Sequence, residues 1–482
     1  MAAARRPNVL FIIADDHRYG AIGAQSESLA LRPGGPPDLP VRTPVLDRLM
    51  GQGVSFDRTY HFGGLTGGVC VPARACLMAG ANPFHALASK DLADSVGLRT
   101  INPALPTLPE TFRDAGYHTY HVGKWHNDTA SFHRSFEGGA KIFIGGISDH
   151  YRVPVFDFDP TGVYPREKRY EGDRHSTELF GQAAVQFLRG YDRPEPYFLY
   201  LAFTAPHDPR TPPPEYAALY PPDEMPLPPN FLPEHPFDNG DLRTRDEALA
   251  PWPRTPEVVR QHIADYYGMI THLDAWIGNV LGALEEAGHA GDTIVVYTAD
   301  HGLAVGQHGL FGKQNLYEHS ARVPCIVRAP GVDAAPLGAR RVEALTYTPD
   351  LHPTLCELAH VPQAETVETR SLVPLLHGVS GGVRPGVCQV YKDVQRMACD
   401  GRWKLIRYYR SAERPDAGTD GIQLFDLEQG PWESRNLAAD PVCARHIERL
   451  AARLTQWQRE VEDPLAGVPV LPAPPLAAVG AR

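Results

Sequence analysis

Cysteine is scarce and unpatterned: seven residues, at 70, 76, 325, 356, 388, 399 and 443, with no C-x-x-C pair among them. An odd, scattered set is neither a disulfide framework nor a zinc site. Long apolar runs are missing too, and no stretch reaches the length that spans a bilayer. The N-terminus imitates a signal peptide, with Arg5-Arg6 ahead of Val9-Leu10-Phe11-Ile12-Ile13-Ala14. That run is short, ends in Asp15-Asp16 and lacks a small-residue cleavage site, so it reads as a buried strand. A cytoplasmic protein is the expectation. Basic residues are in deficit as well: 46 Lys and Arg against 57 Asp and Glu give a formal net charge of −11. That deficit argues against a nucleic-acid or anionic-membrane partner. An anionic substrate stays open, because a basic cluster or a bound cation reverses the field within one pocket. The sequence holds no internal repeats, and nothing in it fixes an oligomeric state.

What is present describes an ordinary globular chain, 43% hydrophobic and 21% charged over 482 residues. That length exceeds one simple core and predicts two domains. Short apolar runs rich in β-branched and aromatic residues, at 9–13, 118–122, 197–203, 293–297 and 325–327, read as buried strands. Between them lie helical patterns. The clearest covers 255–288, where Thr255 caps, Pro256 suits the first turn and Gly288 closes. Ile263, Tyr267, Ile270, Leu273, Ile277, Val280, Leu281 and Leu284 fall on its one apolar face. A second helix is expected at 177–188. Alternating strands and helices predict an α/β domain over 1–380 with a mixed, mostly parallel central sheet flanked by helices. The proline-dense stretch 205–255 reads as an ordered irregular excursion or a lid. After a Gly-rich break at 378–385, strands are expected at 388–391, 396–399, 403–409 and 422–427, then a helix near 441–461. These form a small C-terminal α+β domain with an antiparallel sheet, 381–482, ending in an extended Pro- and Ala-rich tail.

Strand ends carry the chemistry-bearing residues, as α/β proteins require. Asp15 and Asp16 end the first strand, and Thr298-Ala299-Asp300-His301-Gly302 ends a late one. Carboxylates at two such ends with an imidazole make an oxygen-rich cage for a hard divalent cation, Ca²⁺ before Zn²⁺. An Asp-Asp pair after a strand is otherwise a turn and helix cap. Gly123-Lys124-Trp125-His126 sets a cation and an imidazole two apart, on one face of extended backbone. Ala205-Pro206-His207-Asp208 adds a second imidazole, and Gly312-Lys313 precedes Tyr317-Glu318. Singly, such Lys and His residues are solvated or structural. Together they supply what a reaction needs when charge develops on an anionic group and its leaving oxygen. The run Cys70-Val71-Pro72-Ala73-Arg74 completes the set. Alone it would describe a small buried hydrophobe.

Taken in order, these motifs resemble the type I sulfatases of the alkaline phosphatase superfamily. The similarity runs from Asn8–Asp16 through 70–74, 123–126, 206–207, 298–302 and 312–318 into Leu424-Phe425-Asp426-Leu427 and Glu433-Ser434-Arg435-Asn436-Leu437. The resemblance implies an alkaline-phosphatase-like large domain. Cys-x-Pro-x-Arg is then the signal by which a formylglycine-generating enzyme oxidises Cys70 to 3-oxoalanine, whose hydrate attacks sulfur. It implies that Asp15, Asp16, Asp300, His301 and the modified Cys70 hold Ca²⁺, with Mg²⁺ as the alternative ion. Arg74 and Lys124 would steady the nucleophile, Asp300 take its proton, and His126 assist collapse of the hemiacetal. His207 and Lys313 would bind sulfate and protonate the leaving oxygen. Two residues depart from the commonest pattern: Ala73 stands where Ser is frequent, and His301 where Asn is frequent.

The expected activity is hydrolysis of a sulfate ester. A sulfated carbohydrate is favoured over aryl or choline sulfate because Trp125, His133, His150, Tyr151 and Tyr164 offer aromatic and hydrogen-bonding loops. A phosphonate monoester or phosphodiester hydrolase shares the metal site and the modified cysteine, but relatives of that kind lack the Lys124 and His126 pair. An inactive sulfatase-like binding protein would need a missing catalytic residue, and none is missing.

Overall fold

The computed structural model describes residues 6–32, 41–332, 340–412, 414 and 416–476. Arg5 of the basic pair and residues 477–482 of the tail lie outside them. Five strands run parallel in the order Gly138–Ile144, His118–Trp125, Tyr197–Ala202, Asn8–Ala14 and Thr293–Ala299. Every residue of Asn8–Ala14 and Thr293–Ala299 is buried, because both sheet faces are covered. Val9, Phe11 and Ile13 enter one core, and Leu10, Ile12 and Ala14 the other. That is the period-two alternation of a strand between two layers.

Beyond Thr293–Ala299 the sheet reverses direction. Cys325–Arg328, expected as one of a largely parallel set, pairs antiparallel with both Thr293–Ala299 and Val54–Tyr60. Arg322–Val323 and Arg340–Tyr347 also pair with Val54–Tyr60, the first antiparallel and the second parallel. The strands Val54–Tyr60 and Arg340–Tyr347 escape a search for apolar runs because Asp57, Arg58, Arg341 and Glu343 interrupt them. Those charges pair across the strands, Arg341 with Asp57 at 2.6 Å and Arg58 with Glu343 at 3.4 Å.

The long helix is Pro256–Glu286, with the Thr255 hydroxyl accepting the Val258 N–H. It packs beside Ser176–Gly190 on one face of the sheet, where Leu273, Ile277, Leu179 and Phe180 share a core. The Pro-dense segment holds only short turns of helix, at Pro214–Ala217, Pro222–Glu224 and Asp246–Leu249.

The second sheet consists of the antiparallel strands Val387–Tyr391, Gln395–Cys399, Trp403–Tyr408 and Gly421–Asp426. Helix Ala444–Glu460 covers one face through Ile447, Leu450 and Leu454. A two-residue strand from the N-terminal part, Gly63–Gly64, adds in parallel to Val387–Tyr391. This edge fastens the small sheet to the loop that leads into Cys70. Only glycine fits there: Gly63 has φ +92°, and a Cβ would stand 1.8 Å from the Val390 carbonyl oxygen. Gly63→Ala is therefore expected to lower the melting temperature. The unfavourable φ alone is worth about 1–3 kcal/mol, and the clash adds to it. Thermal unfolding of the two proteins side by side checks this, and an unchanged melting temperature would contradict it.

Candidate active site

The parallel strands end on one edge, and the residues singled out from the sequence converge there. Asp15 and Asp16 directly follow Asn8–Ala14, and Asp300 and His301 follow Thr293–Ala299. Lys124 lies in His118–Trp125, His126 just beyond it, and His207 in the loop after Tyr197–Ala202. Cys70 opens the helix Cys70–Ala79 and Arg74 follows one turn later, on the same face. Lys313 comes from the irregular stretch beyond His301. Cys70, Arg74, Lys124, His207, Lys313 and all three carboxylates are buried.

Each carboxylate has its own cation. Arg74 Nε donates to Asp300 Oδ2 at 3.0 Å, and Lys313 Nζ to Asp16 Oδ1 at 2.9 Å. Lys124 Nζ donates to Asp15 and, at 2.7 Å, to the Gly146 carbonyl. The backbone N–H groups of Asp16 and His301 both donate to Asp300 Oδ1, at 3.2 and 3.0 Å. Burial works against the ionised Asp300, but His301 and Arg74 outweigh it and hold the pKa down to about 2. Burial likewise opposes a charged His301, yet Asp300 and Asp16 hold its pKa up to about 9. Asp16 adopts a left-handed backbone, φ +66°, which an Asp tolerates and which lets consecutive aspartates face one point.

Among the buried atoms of this cluster without a hydrogen-bond partner are two able to ligate a metal, Asp15 Oδ1 and His301 Nε2. Ligand atoms of Asp15, Cys70, Asp300 and His301 lie within 4.8 Å of one another, as do those of Asp15, Asp16 and His207. Orphaned oxygen and nitrogen atoms facing one centre, in a carboxylate-rich set, fit a hard divalent cation.

Around the cage, His126 Nδ1 sits 3.1 Å from Cys70 Sγ, and His207 Nε2 sits 3.0 Å from Lys313 Nζ. His207 Nδ1 donates to the Asp208 carbonyl at 2.7 Å, which turns Nε2 inward. His150, read from the sequence as a sugar-facing residue, is buried and donates from Nε2 to the His207 carbonyl at 2.8 Å. Trp125 is likewise no sugar platform. It is 2% exposed, packs among Phe132, Phe136 and His121, and donates to the Asp128 carbonyl at 2.9 Å. Tyr151 remains exposed, as does His133, while Tyr164 packs edge-on against Phe132 and Phe156.

The Pro-dense segment braces this site. Asp208 pairs with Arg245 at 3.0 Å, next to His207. Glu247 accepts the N–H groups of Phe311 and Gly312, each at 3.0 Å, and so fixes the stretch carrying Lys313. Burial, opposed by Arg254, pushes the Glu247 carboxyl up to about 7. Glu247, inside a proline-rich stretch, gave no sequence signal for this bracing, because the N–H groups it accepts lie far along the chain.

A buried cysteine, an acidic cage and cations for an anion fit an enzyme that handles an anionic ester. The chain belongs to the sulfatase family, whose model matches residues 7–361. The C-terminal model of N-sulphoglucosamine sulphohydrolase matches residues 306–460. It is a sulfuric ester hydrolase of the alkaline phosphatase superfamily. An N-acetylglucosamine-6-O-sulfatase of Bacteroides thetaiotaomicron is 25% identical, over 95% of this chain and 87% of that one. A choline-sulfatase of Rhizobium meliloti is 28% identical, over 95% and 88%. A solved structure in complex with its substrate D-glucosamine-2-N,6-O-disulfate superposes with a TM-score of 0.76 at 23% identity, covering 97% of this chain and 99% of that one. A phosphonate monoester hydrolase from Silicibacter pomeroyi has the same fold, with a TM-score of 0.70 at 24% identity over 95% and 96%. Among the described residues no helix is long and apolar enough to cross a membrane.

The unmodified cysteine has a measurable signature. Burial opposes its thiolate, but Lys124, His126 and Lys313 outweigh burial and hold the Cys70 thiol well below the usual range. Burial instead raises Cys76 well above it. In cation-free protein expressed without the modifying enzyme, iodoacetamide should label Cys70 first. Between pH 6 and 8 the rate should rise less steeply than that of an ordinary thiol, because the neighbouring cations favour the thiolate. An ordinary thiol would gain about tenfold per pH unit over that range. Peptide mass spectrometry over time decides between the two profiles.

Proposed function

We propose that this chain cleaves a sulfate monoester of a sugar hydroxyl, with Cys70 converted to formylglycine and a Ca²⁺ ion in the acidic cage. The observation that carries the reading is the Lys313–His207 contact at 3.0 Å, adjoining Asp16 and separate from the Cys70–His126 contact. An acid–base pair of this kind at the leaving-group side serves an alcohol too basic to depart unaided. The relatives' own names, an N-acetylglucosamine-6-O-sulfatase among them, support a sugar as the alcohol.

Oxidised and hydrated, position 70 supplies two hydroxyls, one to attack sulfur and one to expel sulfate afterwards without an external water. Asp15, Asp16, Asp300 and His301 would hold a divalent cation, which would supply Lewis acidity for the attacking hydroxyl and the sulfate. Arg74 and Lys124 stabilise the anionic oxygen at position 70. Asp300, ionised throughout the physiological range, accepts its proton. His126 takes the proton of the second hydroxyl as sulfate leaves. Lys313 neutralises the sulfate and shares its proton with His207 toward the departing oxygen. Phosphonate monoester or phosphodiester hydrolysis would use the same cage, and Lys124 with His126 favours the sulfate ester.

Co-expression with a formylglycine-generating enzyme should convert Cys70 to the aldehyde, visible as a mass loss in its peptide. In that enzyme, His207→Ala should lower kcat on a sugar sulfate by about 10²–10⁴-fold. The loss on 4-nitrophenyl sulfate, whose phenolate leaves unaided, should be far smaller. Equal losses on both would remove the general-acid role.

Chelation should abolish turnover and lower the melting temperature, since an ion bound only by the folded state stabilises it. Ca²⁺ should restore both. Restoration by Zn²⁺ but not by Ca²⁺ or Mg²⁺ would contradict the oxygen-rich cage.

A further inference from the structure

The turn between Val387–Tyr391 and Gln395–Cys399 carries a lysine that no catalytic step uses. Lys392 has φ +43°, a left-handed conformation that a lysine keeps only where its surroundings impose it. Its N–H donates to the Gly64 carbonyl at 2.8 Å, and its ammonium to Asp241 Oδ2 at 2.6 Å. A Cβ built on Gly67 would stand 3.6 Å from Lys392 Nζ. The ammonium thus reaches the loop just before Cys70. Arg414 holds the same Asp241 carboxylate at 3.3 Å and the Gly240 carbonyl at 2.6 Å.

These two cations line a cavity of about 300 Å³ that also touches His126, Gly67 and the exposed Arg99. Asp241 can compensate only one of them. Asp393, also on the wall, is occupied by the Ser411 hydroxyl at 2.7 Å and the Ala412 N–H at 2.8 Å. Three cations therefore face two carboxylates beside the nucleophile, in a chain whose formal net charge is −11. Leu92 and Leu98 add an apolar lining suited to the face of a sugar ring.

We propose that Lys392 and Arg414, supplied from the C-terminal sheet, bind a second anionic group of the substrate, a carboxylate or a further sulfate, next to the ester that is cleaved. The proposal rests on the sulfatase reading above and narrows its substrate to sugars bearing at least two negative charges. Lys392 contributes charge and Arg414 a planar donor fork, the combination that holds a sulfate or carboxylate.

The test measures preference rather than rate alone. Calorimetry on the turnover-blocked Cys70→Ala protein would compare three probes: N-acetylglucosamine 6-sulfate, N-sulfoglucosamine 6-sulfate and a 2-sulfated uronic acid. The doubly charged probes should bind more tightly than the singly charged one, and the better of the two identifies the second group as sulfate or carboxylate. Adding Lys392→Gln should cut that preference ratio by about ten- to a hundredfold. Lys392→Arg should largely retain it, and rising salt should erode it. A ratio untouched by both Lys392→Gln and Arg414→Gln would overturn the proposal, because a purely structural ion-pair network weakens every probe alike. Failure of the formylglycine-bearing wild-type enzyme to hydrolyse any sulfate ester would instead overturn the sulfatase reading, and the proposal with it.

Discussion

Three buried carboxylates at adjacent strand ends cannot be left unpaired, and much of this structure follows from how they are neutralised. Burying one unpaired ion costs several kcal/mol even after relaxation. Asp15, Asp16 and Asp300 are each at most 3% exposed, and each takes a cation from a different stretch of chain. Lys124 comes from the neighbouring parallel strands, Lys313 from the long segment after His301, and Arg74 from the helix that opens with Cys70. The strand order sets His118–Trp125, Tyr197–Ala202, Asn8–Ala14 and Thr293–Ala299 side by side. That order is the one that brings these charges within reach.

The small sheet fixes two of the loops that carry these groups. Gly63–Gly64 pairs with Val390 and Tyr391, and so anchors the approach to Cys70. Lys404, wholly buried in the small sheet, bridges Glu318 at 2.9 Å and Glu433 at 2.8 Å. Glu433 also accepts the Glu318 N–H at 2.7 Å, just beyond Lys313. The C-terminal sheet is therefore a clamp on the loop before Cys70 and on the Lys313 segment. It acts through hydrogen-bond ladders and a desolvated ion triad, together with the apolar core that Val387, Val390, Met397 and Ile406 share with Phe62, Leu65 and Val69.

What could be read from the sequence followed from period and punctuation. The apolar strands and the Thr255-capped helix carry local signals, and so do Asp15-Asp16 and Asp300-His301, because chemistry at a strand end is adjacent in sequence to the strand. The interrupted strands Val54–Tyr60 and Arg340–Tyr347 were not legible, since their charges are satisfied only across the sheet. Nor was the bracing by Glu247, whose partners are backbone N–H groups 64 and 65 residues away. Trp125 and His150 mislead for a related reason. An aromatic or imidazole beside a catalytic motif has the right type for a ligand contact, yet the nearest unmet need was a core to fill and a His207 carbonyl to hold.

Charge counting within the cage constrains which esters it suits. Asp15, Asp16 and Asp300 face Lys124, Lys313 and Arg74, so the fixed charges cancel in pairs. A divalent cation among them, with His301 as a neutral ligand, leaves two positive charges. A sulfate monoester brings one negative charge and an ionised nucleophile a second, so the reacting assembly is close to neutral. A phosphate monoester dianion would add one charge more in a buried site, where uncompensated charge is costly. Phosphodiesters and phosphonate monoesters carry a single negative charge, as sulfate monoesters do, so the cage alone admits all three. Discrimination among them must then come from outside it, from the groups that meet the rest of the substrate.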